Sequence, residues 1–304
     1  VSRLNYQASV ATLRQMLTND SSADVRIASL NALHEINADG MTAITETALN
    51  DTAESVRMAG LSTIPDLDLS EEKQVEMLAS VFDAGSVAEQ QYALASLGSM
   101  KNAGAHEVLN ELLGKLETGM LDPGIKLDLS TAVGRSGSAD LMKKLQAFRA
   151  TQPSDDPLTK YGDALEGGNA ERGQRIFYRH AAAQCARCHN AGRGGGDIGP
   201  NLSEIGTERT REDLLISLVD PSAEIREGYG LTTLTFADGT TVTGTVTEED
   251  DQFLEIISGV SEPVKMAKEV IKQRVDAPSS MPAMGDILGR KDLRDLVEFL
   301  SGLK

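Results

Sequence analysis

Both cysteines of this chain lie in one five-residue run, Cys185-Ala186-Arg187-Cys188-His189, which also holds one of its four histidines. Two thiols at this spacing can each add to a haem vinyl group, and the adjacent imidazole then reaches the iron on one face of the macrocycle. The run is therefore typical of covalent c-type haem attachment. It predicts one covalently attached haem c, with Cys185 and Cys188 as the attachment points and His189 as an iron ligand.

Three other interpretations of this run are a redox dithiol, half of a zinc site and coincidence. A structural zinc site needs four ligands, and the sequence has no second cysteine pair to complete one. A thioredoxin-like dithiol stands between a strand and a helix, whereas the residues after His189 are rich in glycine and disfavour a helix. These alternatives stay open, but covalent haem is the favoured prediction.

The composition and charge disfavour several classes of partner. Lysine and arginine total 29 against 46 acidic residues, which gives a net charge of −17 and disfavours nucleic acid and anionic lipid surfaces. The sequence has no apolar run long enough to span a bilayer, so no direct membrane insertion is expected. Because haem is joined to such runs outside the bacterial cytoplasm, we expect a periplasmic or secreted protein whose leader or upstream region was removed before Val1.

A loose repeat organises the first half of the chain. The segment Val25–Leu33 recurs as Val56–Ile64 and as Gln90–Leu97, and a weaker copy runs from Ile125 to Val133. Polar, cap-like residues precede each copy, and shorter amphipathic segments lie between the copies. Helix pairs stacked at this period form an α-solenoid, and the pattern resembles HEAT repeats. Residues 1–150 are therefore predicted to form a HEAT-like α-solenoid, which serves as a scaffold or as a docking surface for a partner.

A polar stretch with two prolines at 151–157 indicates a linker, so a second domain is predicted over residues 158–304. In the first predicted helix of this domain, Gly173 and Phe177 share one face. Phe299 lies in the predicted C-terminal helix. This pairing resembles class I cytochrome c, in which the first helix crosses the last at a glycine with an aromatic ring beside it.

The class I resemblance implies roles for three more residues. The carbonyl of Pro200 would accept the Nδ1–H of the haem histidine, and Leu202 would pack against the haem ring. Met281 would be the sixth iron ligand, since class I cytochromes carry a thioether ligand just before the C-terminal helix. The alternatives for the sixth position are Met284, Met266, His180 and an open site.

Residues 229–275 change from helical to strand-like periodicity, with a hairpin turn at Asp238-Gly239. We predict that they form a small antiparallel β insertion between the third helix of the second domain and the methionine loop. The chain as a whole is predicted to be mainly α, with an N-terminal HEAT-like α-solenoid followed by a class I cytochrome c domain that carries this insertion.

The second predicted domain also carries a series of short motifs in a fixed order: Gly173-x-x-x-Phe177, Cys185 to His189, Gly199-Pro200-Asn201-Leu202, Asp220-Pro221-Ser222-Ala223-Glu224-Ile225, Gly228-Tyr229, Asp238-Gly239 and Ser280-Met281-Pro282. In this order they resemble the PVC-type haem-binding C-x-x-C-H domain, and the HEAT-like repeats upstream agree with it. Domains of that family often end large secreted proteins whose propeller resembles sugar dehydrogenases. This sequence carries no propeller pattern, so the resemblance implies an electron carrier or acceptor more than an enzyme by itself.

Three functions stay open at this point. The favoured one is electron transfer through a covalent His/Met haem, with a redox protein as partner, which the resemblance implies to be a dehydrogenase. The second is a gas- or peroxide-reactive enzyme or sensor, which needs a labile sixth ligand. The third is a protein-interaction module in which the solenoid binds the partner and the haem is structural.

Overall fold

The computed structural model describes residues 3–153, 156–259 and 262–304. Ser154 and Asp155 of the predicted linker therefore lie outside the described residues, as do two residues of the predicted β insertion. The chain divides into two compact units, Val1–Gln152 and Pro153–Lys304, and the division falls within the predicted linker. Among the described helices, none is long and apolar enough to cross a membrane.

The described part of unit 1 is helical. Its helices are α1 Arg3–Asn19, α2 Ala23–Glu35, α3 Met41–Leu49, α4 Glu54–Thr63, α5 Glu71–Ala79, α6 Val81–Ala84, α7 Val87–Leu97, α8 Ala103–Glu117, α9 Lys126–Ser136 and α10 Ala139–Ala150. The repeated leucines Leu30, Leu61 and Leu94 lie in α2, α4 and α7 and are fully buried. Helices α2, α4, α7 and α9 pack against one another in that order. The sequence repeat therefore corresponds to a row of stacked helices that share one core.

Ion pairs connect neighbouring repeats at equivalent positions. The Arg26 guanidinium in α2 contacts Asp51 through two hydrogen bonds of 2.7 Å. The Arg57 guanidinium in α4 contacts Glu89 through hydrogen bonds of 2.6 and 3.0 Å. These bonds lower the pKa values of Asp51 and Glu89. The first repeat is thus joined to the second, and the second to the third, by a bidentate contact as well as by apolar packing.

In unit 2, four of the described helices precede a series of strands along the chain and one follows it. These helices are α11 Pro157–Tyr161, α12 Ala170–Arg179, α13 Ile205–Glu208, α14 Arg211–Val219 and α15 Arg290–Ser301. Helix α12 packs closely on α15 at Gly173, where a Cβ atom would come within 1.9 Å of the Asp295 carbonyl oxygen. Phe177 lies beside this contact, with its ring centroid 5.7 Å from that of Phe299. A residue with any side chain at position 173 would push the two helices apart.

The residues between α14 and α15 form a five-stranded antiparallel sheet. Its strands are β1 Leu231–Phe236, β2 Thr241–Glu249, β3 Phe253–Ile257, β4 Val264–Ala267 and β5 Ile271–Asp276, in the order β4-β3-β2-β1-β5. The sheet has a hydrophobic core of its own, with Leu234, Val246, Leu254 and Ile256 buried. The prediction of a mainly α chain with only a small β insertion is therefore wrong. Strand β5 could not be predicted from the sequence, because its residues are exposed or half-buried and show no apolar alternation.

The connection between β4 and β5 requires the sheet to curl. These strands lie at opposite edges, roughly 19 Å apart across a flat sheet of five strands. Only three residues, Lys268–Val270, join them, and the four Cα–Cα steps involved span at most about 15 Å. Glu249 at the end of β2 lies 2.6 Å from the Lys268 ammonium and 2.8 Å from the Arg274 guanidinium on β5. The sheet is therefore curled into a partly closed barrel, and these ion pairs join β2 to the β4–β5 connection and to β5.

We expect Glu89→Gln to lower the free energy of unfolding by about 1.5–3 kcal/mol at neutral pH, because the Arg57 guanidinium then loses a charged acceptor. The pKa of Glu89 is lowered in the folded state, so its contribution is present at neutral pH and lost as the pH falls below about 4. The difference between wild type and variant in urea unfolding should shrink over that range.

The control for this prediction is Glu76→Gln, because Glu76 pairs with Lys73 on an exposed surface. An exposed pair contributes little, so this variant should unfold almost as the wild type does. Equal losses in the two variants, or a loss at Glu89 that does not change with pH, would contradict the assigned role of the inter-repeat ion pair.

Candidate functional site

The C-x-x-C-H run folds as a tight turn. A 3₁₀ turn spans Cys185–Arg187, and the amide of His189 donates to the Cys185 carbonyl oxygen at 2.9 Å. Both thiols are free, with Cys185 half-buried and Cys188 exposed. Burial raises the pKa of the Cys185 thiol, so this sulfur stays protonated at neutral pH. Two unpaired sulfur atoms and one imidazole thus come from a single turn.

The glycine-rich loop that follows folds back onto this turn. The Gly196 amide donates to the Ala186 carbonyl oxygen at 2.9 Å, and the Gly199 amide donates to that of Cys188 at 2.8 Å. A Cβ atom at Gly196 would lie 2.1 Å from the Arg187 carbonyl oxygen, and one at Gly199 would lie 2.5 Å from Cε1 of His189. The loop contains glycines at these places because its backbone lies directly against the turn and the imidazole.

The glycine-rich loop also sets the orientation of the His189 ring. The Nδ1–H of His189 donates to the carbonyl oxygen of Pro200 at 2.9 Å. A carbonyl can only accept, so this bond assigns the ring proton to Nδ1 and leaves the lone pair on Nε2. The same bond makes the imidazole a better ligand. His189 is thus prepared to bind a metal through Nε2.

All six predicted site residues line one cavity of about 240 Å³: Cys185, Cys188, His189, Pro200, Leu202 and Met281. Its apolar walls come from three helices, with Phe177 on α12, Leu214 and Leu218 on α14, and Leu296 and Leu300 on α15. The crossing of α12 and α15 described above therefore forms part of the cavity wall. The fold brings together residues that are up to 96 positions apart in the sequence, between Cys185 and Met281.

The methionine and histidine alternatives are placed differently. Met281 is half-buried, whereas Met284 is 3% exposed and packs in the core of unit 2, although both line the cavity. Met266 lies on β4 and packs against the core of the barrel. Nδ1 of His180 accepts a hydrogen bond from the Ala183 amide. Of these three methionines, Met281 is the one that lines the cavity without being fully buried, although it also packs against the core of unit 2.

Two cationic side chains lie on the cavity wall, and sequence reasoning missed both. Arg209 contacts Glu224 through hydrogen bonds of 2.9 and 2.5 Å, and Arg226 lies 3.0 Å from Glu208. Hydrogen bonding to Arg209 lowers the pKa of Glu224. Arg193, by contrast, is exposed and lies 3.3 Å from the Gln174 side-chain oxygen. The two arginines belong to no periodic sequence pattern that would have predicted their place on the cavity wall. In this region, sequence analysis singled out only the motif that contains Glu224.

A haem c of this type uses two thiols, an imidazole nitrogen and an apolar cavity for its ring, and a nearby guanidinium group can pair with a propionate. The cavity provides free thiols, an imidazole whose Nδ1 is already bonded, apolar walls and two guanidinium groups. The residues present therefore fit such a group. The thioether of Met281 adds a soft sixth donor of the kind that haem iron accepts.

Residues from several of the motifs that carry the family resemblance line this cavity, among them Pro221, Glu224, Ile225, Tyr229 and Met281. Comparison with known proteins finds no matching family model and no matching curated protein. The resemblance to the PVC-type haem-binding domain therefore stays a prediction based on its motifs. The geometry of the cavity is independent of that resemblance.

We expect Gly199→Ala to destabilise unit 2 by about 1–3 kcal/mol, because the added methyl group overlaps the His189 ring and one of them must move. The same shift should break the Nδ1 contact with Pro200 and lower the amount of haem bound per protein. Gly162→Ala is the control, since a Cβ atom there meets nothing within 4 Å. Wild-type stability and haem content in Gly199→Ala would contradict the packing described for the loop.

Proposed function

We propose that this chain is a c-type cytochrome that transfers electrons through one covalently attached haem, which His189 and Met281 would hold as iron ligands. One observation carries the proposal: both free thiols, an imidazole oriented by Pro200 and a half-buried thioether line the same apolar cavity. When bound there, a haem supplies one-electron exchange between ferrous and ferric iron. The remaining steps of the argument concern what the side chains do.

Cys185 and Cys188 attach the macrocycle, so that it stays bound in both oxidation states. His189 binds through Nε2, and its contact with Pro200 keeps the ring from rotating. Met281 provides a neutral sulfur ligand, which favours the ferrous state. Because the walls are largely apolar, the cavity would restrict water around a bound haem, so that less rearrangement accompanies electron transfer.

The location and partner follow from the same chemistry. Haem attachment to a C-x-x-C-H run takes place outside the bacterial cytoplasm, so the proposal includes a periplasmic or secreted location. The exposed Cys188 lies at the cavity, which makes this edge the route for electrons. The natural partner is a redox protein such as an exported dehydrogenase, for which this chain is the acceptor or relay.

Arg209 and Arg226 are the residues that would hold the propionates, since they are the guanidinium groups among the described cavity-lining side chains. Both are fixed by carboxylates, which keep them oriented without using all of their donors. A cation near the iron opposes the ferric state, whereas a carboxylate favours it. The pair formed by Arg209 and Glu224 therefore allows opposite charge effects to be tested at one place.

Met281→Ala is the direct test of the ligand. We expect the ferrous wild-type protein to bind carbon monoxide slowly or not at all, and the variant to bind it rapidly, because removal of the thioether opens the iron. The reduction potential of Met281→Ala should also fall. Stopped-flow mixing and potentiometric titration measure the two effects.

Met284→Ala and Met266→Ala are the matched controls and should leave carbon monoxide binding slow. Rapid binding by the unmutated protein would instead favour a gas- or peroxide-reactive haem. If Met284→Ala, and not Met281→Ala, made carbon monoxide binding rapid, the sixth ligand would be Met284.

A second prediction concerns the reduction potential. Arg209→Gln should lower it and Glu224→Gln should raise it, each by roughly 20–60 mV, because the first change removes a positive charge and the second a negative one. Arg290→Gln breaks an ion pair with Asp163 outside the cavity lining and should change the potential little. Shifts of the same sign at Arg209 and Glu224 would indicate that only the structural effect of breaking their pair is being measured.

A further inference from the structure

The barrel is connected to the rest of unit 2 by two segments, and both lie on the wall of the cavity. The incoming segment, residues 220–230, contributes Ile225 and Tyr229, and the outgoing segment, residues 277–283, contributes Ser279 and Met281. Met281 is the fifth residue after β5 ends at Asp276. The methionine loop is therefore the exit of the barrel, and its position depends on how the barrel is held.

A series of hydrogen bonds links the two segments to Met281. The Ala277 amide donates to the Leu231 carbonyl oxygen at 2.8 Å, which extends the pairing of β5 with β1. The Ser279 amide then donates to the Ser222 hydroxyl oxygen at 3.1 Å. Finally, the Met281 amide donates to the Ser279 hydroxyl oxygen at 3.2 Å. Two serine side chains thus connect the methionine backbone to the turn that follows α14.

The incoming segment is itself held on both sides, so Ser222 is attached to a fixed support. Glu224 and Arg226 pair with Arg209 and Glu208 at the end of α13. The Gly228 amide donates to the Val246 carbonyl oxygen of β2 at 3.1 Å. The support for the methionine loop therefore includes α13, α14 and the barrel.

We propose that Ser222 and Ser279 are positioning residues that hold the methionine loop so that the Met281 thioether stays on the iron. This inference rests on the proposed function, because it gives the serines a role only if Met281 is the ligand. The barrel then acts as a frame that closes the loop over the cavity. Neither serine touches the reacting atoms, and both act through the backbone of the loop.

Ser222→Ala and Ser279→Ala each remove one link, and the loss of a single hydrogen bond corresponds to a modest change in equilibrium. We expect each variant to raise the carbon monoxide binding rate of the ferrous protein about 2- to 10-fold, far less than Met281→Ala does. The two links lie in series, so the double variant should bind no faster than the faster single variant. Ser279→Thr retains the hydroxyl and should restore the wild-type rate.

Ser301→Ala is the matched control. Ser301 lies at the end of α15 and outside the cavity lining, and its hydroxyl donates to the Glu298 carbonyl oxygen within that helix. This variant should leave the carbon monoxide binding rate unchanged. The proposed positioning role is overturned if the two serine variants bind as slowly as the wild type, if Ser301→Ala accelerates binding as much, or if their effects simply multiply in the double variant.

Met281→Ala separates the failure of this inference from that of the proposed function. If Met281→Ala accelerates carbon monoxide binding while the serine variants do not, the ligand assignment stands and the positioning role is wrong. If Met281→Ala itself leaves binding unchanged, the His/Met assignment is wrong and the positioning role fails with it.

Discussion

The hydrogen bond from His189 Nδ1 to the Pro200 carbonyl oxygen depends on how closely the glycine-rich loop approaches the C-x-x-C-H turn. That approach is possible because Gly196 and Gly199 have no side chains where carbonyl oxygens and the imidazole would collide with them. The bond in turn assigns the tautomer and leaves Nε2 as the ligand atom. Local backbone packing thus determines the chemistry of the site before any cofactor is considered.

The helices and the barrel complete the cavity in different ways. The crossing of α12 and α15 at Gly173 supplies rigid apolar walls, whereas the barrel supplies the two segments that carry Tyr229 and Met281. Within the barrel, Glu249 on β2 pairs with Lys268 in the β4–β5 connection and with Arg274 on β5, which holds that connection against the sheet. An insertion of this kind is suited to hold a ligand loop, because its ends are close together while its core is independent.

Sequence reasoning succeeded where a short motif determines local geometry. It identified Cys185, Cys188 and His189 as one short run, and the resemblance to class I cytochromes supplied the Pro200 carbonyl as the acceptor for Nδ1–H. It failed for β5, whose exposed residues lack alternation, and for the closure of the barrel, which depends on contacts of Glu249 with residues far along the chain. Arg209 was also missed, since a single surface arginine gives no pattern until the fold brings it to the cavity.

The central claim is that Cys185 and Cys188 hold a haem covalently, and extraction with acidified organic solvent tests it most directly. The protein should be produced by export in a bacterium that matures c-type cytochromes, purified, and then denatured and extracted. We predict that the haem stays with the protein, whose mass exceeds that of the chain by one haem. Haem that moves into the organic phase, or a chain mass with no addition, would contradict covalent attachment.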